Sequence, residues 1–203
     1  MKIIAVGMNY AAHNKELDSA SPAEPVIFMK ADSSLLKRGD PFFIPDFSEA
    51  IDHEVEIVVK INRLGKNIEE KFAHRYYEEL TVGIDFTARD LQYKLRKEAL
   101  PWEISKAFDN SAAVGNFVPK TDIADITQTD FRLDINGATV QRGNTRDMLF
   151  SIDQIIAYVS RFFTLKIGDL IFTGTPSGIG PVHINDRLEA YIEDKKLLDL
   201  KIK

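Results

Sequence analysis

A mostly β, α+β fold is what the sequence predicts, and three observations predict it. Apolar residues recur at period two in separate runs, Val55/Ile57/Val59, Val82/Ile84/Phe86, Phe131/Leu133/Ile135 and Leu198/Leu200/Ile202, the spacing that turns one face of a strand to a core. Asn136-Gly137 stands at the end of one such run, a dipeptide that suits a tight hairpin. Strong helical periodicity is confined to residues 151–165, where Ile152, Ile155, Ile156, Val159, Phe162 and Phe163 recur and Ser151 with Gln154 forms a capping box.

In chain order, residues 2–6 read as a buried strand. The polar stretch 11–25, with His13, Glu16, Ser19, Ser21, Pro22 and Pro25, reads as a mobile surface segment holding one helical turn at most. Strands are expected at 26–29 and around 42–44, then at the Glu54/Glu56 run. A polar helix is expected over 68–80, a strand through Asp85, and a short helix over 90–100 that Pro101 stops. After the hairpin and the 151–165 helix come strands at 170–173, 187–192 and 198–202 around a Gly-rich turn. There is no internal repeat, low-complexity tract or linker, so 203 residues with 44% hydrophobic content are expected to form one domain.

Composition narrows the function. Thirty-one acids against 26 bases give a formal charge of −5 with no basic run, which argues against nucleic acid as a partner. The absence of cysteine excludes disulfides, iron–sulfur clusters, thiolate zinc and cysteine nucleophiles. The opening apolar run is too short for a signal-peptide core or a membrane span, so the expectation is a cytoplasmic protein that meets no membrane.

The candidate chemistry starts with three acids. Glu54 and Glu56 alternate with Val55 and Ile57, and Asp85 with Ile84 and Phe86, so strand geometry turns all three away from the apolar face. Like charges held together under partial burial need a cation, and oxygen-only donors suit Mg²⁺ or Mn²⁺. The same pattern also occurs on solvated sheet faces. His13 and Glu16, three residues apart, fall on one side of a helical turn, where a carboxylate can fix an imidazole as a base for water; an exposed pair on a surface turn has the same spacing. Thr173-Gly174-Thr175-Pro176-Ser177-Gly178-Ile179-Gly180 lacks either nucleotide-phosphate motif and reads as a plain turn or a carboxylate-binding loop with Thr175 as donor. Arg89, Gln92 and Lys106 follow Asp85 closely and are candidates to hold an anionic substrate and a developing oxyanion. His53, His74 and His183 read as structural or exposed.

With these residues laid out, the chain resembles the fumarylacetoacetate hydrolase family, in particular its short acylpyruvase-like and oxaloacetate-decarboxylase-like members. The resemblance runs through Val6-Gly7-Met8-Asn9-Tyr10-Ala11-Ala12-His13, His53-Glu54-Val55-Glu56, Asp85-Phe86-Thr87-Ala88-Arg89-Asp90, Leu100-Pro101-Trp102, Ser105-Lys106-Ala107-Phe108, Phe150-Ser151-Ile152 and residues 173–180. It implies a mixed, barrel-like β-roll and a homodimer, with the chain as one catalytic domain over 1–203 and a lid at 11–25. It implies Glu54, Glu56 and Asp85 as ligands of Mg²⁺ or Mn²⁺, His13, Glu16 and Lys106 as catalytic, and Arg89, Gln92 and Thr175 as substrate-binding. The implied reaction is metal-dependent cleavage of a C–C bond in acylpyruvates to pyruvate and a carboxylic acid, with oxaloacetate decarboxylation in the same site. The alternatives are isomerisation or decarboxylation of hydroxymuconate-type diacids, oxaloacetate tautomerisation, and a non-catalytic metal- or metabolite-binding module.

Overall fold

Strand alternation decides most of the structure: the computed structural model, which describes residues 1–203, has fourteen strands and five short helices. They follow in the order β1 (Ile3–Gly7), α1 (Ala11–Glu16), β2 (Val26–Lys30), β3 (Ile51–His53), β4 (Val55–Ile61), α2 (Glu70–Ala73), β5 (Tyr77–Asp85), β6 (Thr87–Ala88), α3 (Arg89–Lys97), α4 (Glu103–Lys106), β7 (Ala112–Val114), β8 (Val118–Pro119), β9 (Asp130–Ile135), β10 (Ala138–Asn144), α5 (Ile152–Phe162), β11 (Leu170–Phe172), β12 (Gly180–Pro181), β13 (Arg187–Ile192) and β14 (Lys195–Lys201). The mostly β, α+β class is the one expected.

The largest sheet has the order β2-β1-β11-β4-β5-β7, with β8 also on β5; a second runs β10-β9-β13-β14, and a small third β12-β3-β6. β1 and β11 pair in parallel. Two chain segments pass directly from the small sheet to the large one or back: β3 continues through Glu54 into β4, and β5 through Phe86 into β6. The acidic residues stand at this double junction.

On one face of the large sheet, Val55, Ile57, Val59 and Ile61 of β4 join Leu80, Val82 and Ile84 of β5 and Ile152, Ile155, Ile156 and Val159 of α5 in the main apolar core. Each such side chain contributes about 1.5–3 kcal/mol on full burial. The opposite face carries a smaller cluster of Ile3, Ala5, Phe28, Val58 and Phe172. Both faces of β4 are therefore covered, and the acids lie at the end of the second one. The capping box of Ser151 and Gln154 is formed, and Asn136 and Gly137 take φ of 52° and 82°, the left-handed pair that a two-residue hairpin requires.

Three expectations need correction. The helix expected over 68–80 is only Glu70–Ala73, because Tyr77 already belongs to β5, where pairing with β4 and β8 overrides the weak helical spacing. Around 42–44 there is no strand; Phe42 makes a single bridge to Ile202 and stacks on Phe86. The polar stretch after Tyr10 is more than one turn: α1 has six residues, and His13 and Asn14 are buried. Asn14 Nδ2 donates to Met8 O, and Asn9, also buried, donates to Phe150 O and Thr173 O and accepts from Phe150 N, so this segment is tied to the sheet behind it.

The parallel β1–β11 pair is anchored by Asp169, whose buried carboxylate accepts from Lys2 N (2.8 Å) and Lys166 N (2.8 Å) and pairs with the Lys2 ammonium (2.5 Å). Burial pushes this carboxyl upward, but these bonds outweigh it and hold it below the ordinary range. A depressed carboxyl stabilises the fold fully above the unfolded value of about 4 and loses that contribution as pH falls through the folded value. Asp169→Asn should therefore lower stability by about 2 kcal/mol at pH 7. In urea melts the difference from the parent should shrink as pH falls below about 4; a pH-independent difference would show that the charge is not responsible.

Candidate active site

Register brings the three acids together. Val55 pairs with Ile84 and Glu56 with Gly83, and Asp85 N donates to Glu54 O at 2.9 Å, so Glu54, Glu56 and Asp85 project side by side from one face. The position opposite Glu56 must be glycine: a Cβ on Gly83 would come within 2.8 Å of Val58, Ala113 O and Phe172. All three acids are buried, and one oxygen from each lies within 4.8 Å of the others.

Three buried cations surround them. Lys106, on the one-turn helix α4, donates to Glu54 Oε2 (2.7 Å), Asp85 Oδ2 (2.8 Å) and Thr87 Oγ1 (2.6 Å), using all three of its N–H groups. Arg89, at the start of α3, bonds Asp52 through Nε (2.7 Å) and Glu54 through Nη2 (2.6 Å), while Nη1 donates to Gln92 Oε1. That leaves the Gln92 NH₂ as a free donor. Lys30, fully buried on β2, pairs with Asp85 Oδ1 at 2.6 Å and bonds Ser111 and Lys106 O.

The charges do not balance. Burial raises a carboxyl's pKa, but the Lys106 ammonium and Arg89 guanidinium outweigh this at Glu54 and hold it well below the ordinary range. Glu56 has no salt-bridge partner; its one hydrogen bond comes from Gly174 N–H, at 2.6 Å. Burial, then Asp85 and Glu54, drive its carboxyl well above the usual value. Lys106 goes the other way from what burial favours, because Asp85 and Glu54 raise it. With all four carboxyls ionised, Asp52, Glu54, Glu56 and Asp85 exceed Lys30, Arg89 and Lys106 by one negative charge, and it is this excess that the raised Glu56 carboxyl resists.

The residues present fit a hard divalent cation. Its three candidate donors are all oxygen, its neighbours lack a cation at Glu56, and two added positive charges would turn the local excess from negative to positive. Glu54, Glu56 and Asp85 are the residues that would hold it.

His13, on α1, faces this cluster from across the cavity, with Nδ1 3.1 Å from Glu16 Oε2. Glu16 in turn accepts from Gly178 N at 3.1 Å, which docks α1 on the loop after β11. In that loop Gly174 takes φ +98°, with its Cα against Asn9 and Val6 O, where no Cβ fits. The loop's amides at Gly174 and Gly178 thus serve Glu56 and Glu16, the protein's own carboxylates, and Thr175 is the side chain it contributes to the cavity.

Of the nine residues singled out in the sequence, eight line this one cavity, and Glu16 stands behind His13. Val6, Gly7, Met8, Leu17, Phe28, Arg96 and Trp102 complete its wall, and its volume is about 30 Å³. Sequence reasoning missed Lys30, Asp52 and the buried Gln141. Lys30 left a signal, a lysine in phase with Phe28 on an otherwise apolar strand; Asp52 and Gln141 left none.

The sequence model for the C-terminal region of fumarylacetoacetate (FAA) hydrolase matches residues 2–203. The mitochondrial oxaloacetate tautomerase FAHD1 of Mus musculus is 41% identical over 201 residues, 99% of this chain and 91% of that protein. The mitochondrial oxaloacetate decarboxylase of Dictyostelium discoideum is 43% identical over 182 residues, 89% of this chain and 84% of that one. Among solved structures, the fumarylpyruvate hydrolase of Pseudomonas aeruginosa in complex with Mn²⁺ and pyruvate superposes with a TM-score of 0.93 at 32% identity, over 100% of this chain and 89% of its own.

Proposed function

The chain belongs to the fumarylacetoacetate hydrolase family, and from that premise and its buried acidic site we propose that it is a divalent-metal-dependent enzyme of small 2-oxo acids, with oxaloacetate as its first substrate. The observation that carries this reading is one cavity shared by a base, His13, a carboxylate trio and a set of cations. Relatives at 41% and 43% identity are named for oxaloacetate, which puts this diacid first among the 2-oxo acids.

A bound ion would supply Lewis-acid stabilisation of charge on the 2-oxo oxygen. Thr175 and the spare N–H groups of Arg89 would hold the adjacent carboxylate, and Gln92 would donate to the far end. Lys106 gains free donors once Glu54 and Asp85 are otherwise neutralised, and its ammonium then faces the oxyanion. Because Glu16 holds the Nδ1–H of His13, Nε2 carries the lone pair and serves as base. In oxaloacetate it takes a proton from C3, the C–H electron pair forms the C2–C3 double bond, and the 2-oxygen takes a proton to give the enol. Loss of CO₂ from the same substrate needs no base, only stabilisation of the enolate left behind.

Hydrolysis of acylpyruvates is the second reading, favoured by the His13–Glu16 pair. His13 would take a proton from water as its oxygen bonds to the distal carbonyl carbon; the C3–C4 bond then breaks with its electron pair to C3, which is protonated, giving pyruvate and a carboxylic acid. The module without catalysis is disfavoured by a complete set of cavity residues.

In this reading the chain acts as one catalytic domain with α1 and its flank as the lid, and as a cytoplasmic homodimer. No helix is long and apolar enough to cross a membrane. The exposed Phe47 and Ile104, beside Leu91 and Phe108, offer an apolar face that a second copy would cover, and sedimentation will report the mass. The test of activity is a panel of oxaloacetate, acylpyruvates and hydroxymuconate-type diacids with Mg²⁺, with Mn²⁺ and with EDTA. We expect oxaloacetate turnover to be fastest and to fall by at least about 10³-fold with EDTA, the several kcal/mol of Lewis-acid stabilisation. Turnover that survives EDTA removes the metal from the mechanism, and inertness toward the whole panel favours a binding module.

A further inference from the structure

The buried Gln141, on β10, touches neither the acids nor the His13–Glu16 pair, yet it connects the strand of the acids to the loop that carries Thr175. β10 has a register shift against β9 between Thr139 and Gln141, and this irregularity accompanies an inward Gln141, 1% exposed, between exposed Val140 and Arg142. Its Oε1 accepts from Val55 N (3.0 Å) and faces His53 Nδ1 (2.9 Å); its Nε2 donates to Thr175 Oγ1 (2.9 Å) and to Pro176 O (3.0 Å).

The orientation of this amide is not free. Val55 N–H can only donate and Pro176 C=O can only accept, so the two ends of the Gln141 side chain are assigned by backbone groups of opposite polarity. Two consequences follow. His53 Nδ1 must carry a proton to donate to the same Oε1. The Thr175 hydroxyl must accept from Gln141, which leaves its own proton without a partner in the protein and available to the cavity that Thr175 lines.

We propose that Gln141 is a positioning residue that sets the hydrogen-bond polarity of Thr175, so that the hydroxyl meets the substrate carboxylate as a donor. This rests on the reading that Thr175 holds that carboxylate. Gln141 presents a donor to the Thr175 oxygen, so the hydroxyl proton must point away from Nε2. Recognition of the anion is thereby prepared before it arrives.

The test is titration of pyruvate into Mn²⁺-loaded protein by calorimetry, beside Mn²⁺ affinity measured alone. Gln141→Glu exchanges the donor for an acceptor, and Gln141→Met removes both ends while keeping the volume. Either should weaken pyruvate about tenfold to a hundredfold, the range of a lost hydrogen bond to a charged group. Mn²⁺ affinity should change by much less than pyruvate affinity, and least in Gln141→Glu, which keeps an oxygen for Val55 N–H between Glu54 and Glu56; a loop that merely shifted would also disturb Gly174 N–H on Glu56 and lose Mn²⁺ and pyruvate together. Thr175→Val should weaken pyruvate similarly, and in a Gln141→Met background it should add little.

If Thr175→Val leaves pyruvate binding unchanged, the substrate-holding reading of Thr175 fails. If Thr175→Val weakens binding and the Gln141 variants do not, or if the two losses simply add, Gln141 does not act through Thr175 and the inference is overturned. Should Gln141→Glu not fold, Gln141→Met carries the same comparison.

Discussion

Glu56→Gln is expected to make the chelator-treated protein more stable and the enzyme inactive. Glu56 is the buried carboxylate with no cation beside it, held between Asp85 and Glu54 with only Gly174 N–H to accept from. Glutamine keeps an oxygen for that N–H and turns an NH₂ toward two negative neighbours, so a repulsion becomes an attraction. Without a cation this carboxyl must either stay charged among like charges or take up a proton, and relief of that cost should raise stability by about 1–2 kcal/mol in EDTA. The same change removes a donor from the proposed ion, and Mn²⁺ affinity should fall by more than the tenfold to hundredfold that outer partners of metal ligands give. With it should go about 10³-fold in turnover. Thermal melts then separate a ligand from a structural acid: Mn²⁺ at 100 times its Kd would stabilise the parent by about 2.7 kcal/mol and the variant by far less. Retained Mn²⁺ affinity, or a variant less stable than the parent in EDTA, would sink the assignment of Glu56 as a ligand. Opposite signs for stability and activity mark a residue kept for chemistry at a cost to the fold.

The same residue shows why much of the site was legible in the sequence. Strand alternation is a local property, and it sorts Glu54 and Glu56 from Val55 and Ile57 without knowledge of any partner. That Asp85 joins them depends on the β4–β5 register, yet the register is itself dictated by which apolar residues must face the core. Where two periods fit equally, locality fails. Tyr77 and Leu80 are three residues apart and suit a helix, and only pairing with β4 and β8 makes them strand. Lys30 is buried because Asp85 and Ser111 from distant segments close over it, and nothing beside it in the chain supplies those partners. Gln141 is harder still: a one-residue irregularity reverses which side chains face inward, and neither hairpin turn nor composition marks the place. The acids and the fold class are thus written in short-range pattern, whereas the cations and amides that tune them depend on the finished topology.

His13→Ala should divide the reactions that this cavity can support. The imidazole is buried on α1 with Nδ1 committed to Glu16, and Glu16 is itself held by Gly178 N–H, so the ring has one orientation and one free lone pair. Any step that needs a proton removed from carbon or water loses that base, at about 10²–10⁴-fold. Keto–enol interconversion of oxaloacetate and hydrolysis of acylpyruvates should both fall by this amount. Decarboxylation of oxaloacetate expels CO₂ without a base and depends on the cations and the acids, so it should fall by only a few-fold, within about 1 kcal/mol. Glu16→Gln keeps the ring but lets go of its tautomer, and should lose a smaller share of the same two reactions. Measured on one preparation, enol absorbance, pyruvate release and CO₂ release give three rates whose ratios do not depend on how much protein is folded. Equal losses in all three would place His13 in binding rather than proton transfer, and undiminished interconversion would remove it from the reaction, leaving the acids and Lys106 to act with solvent alone.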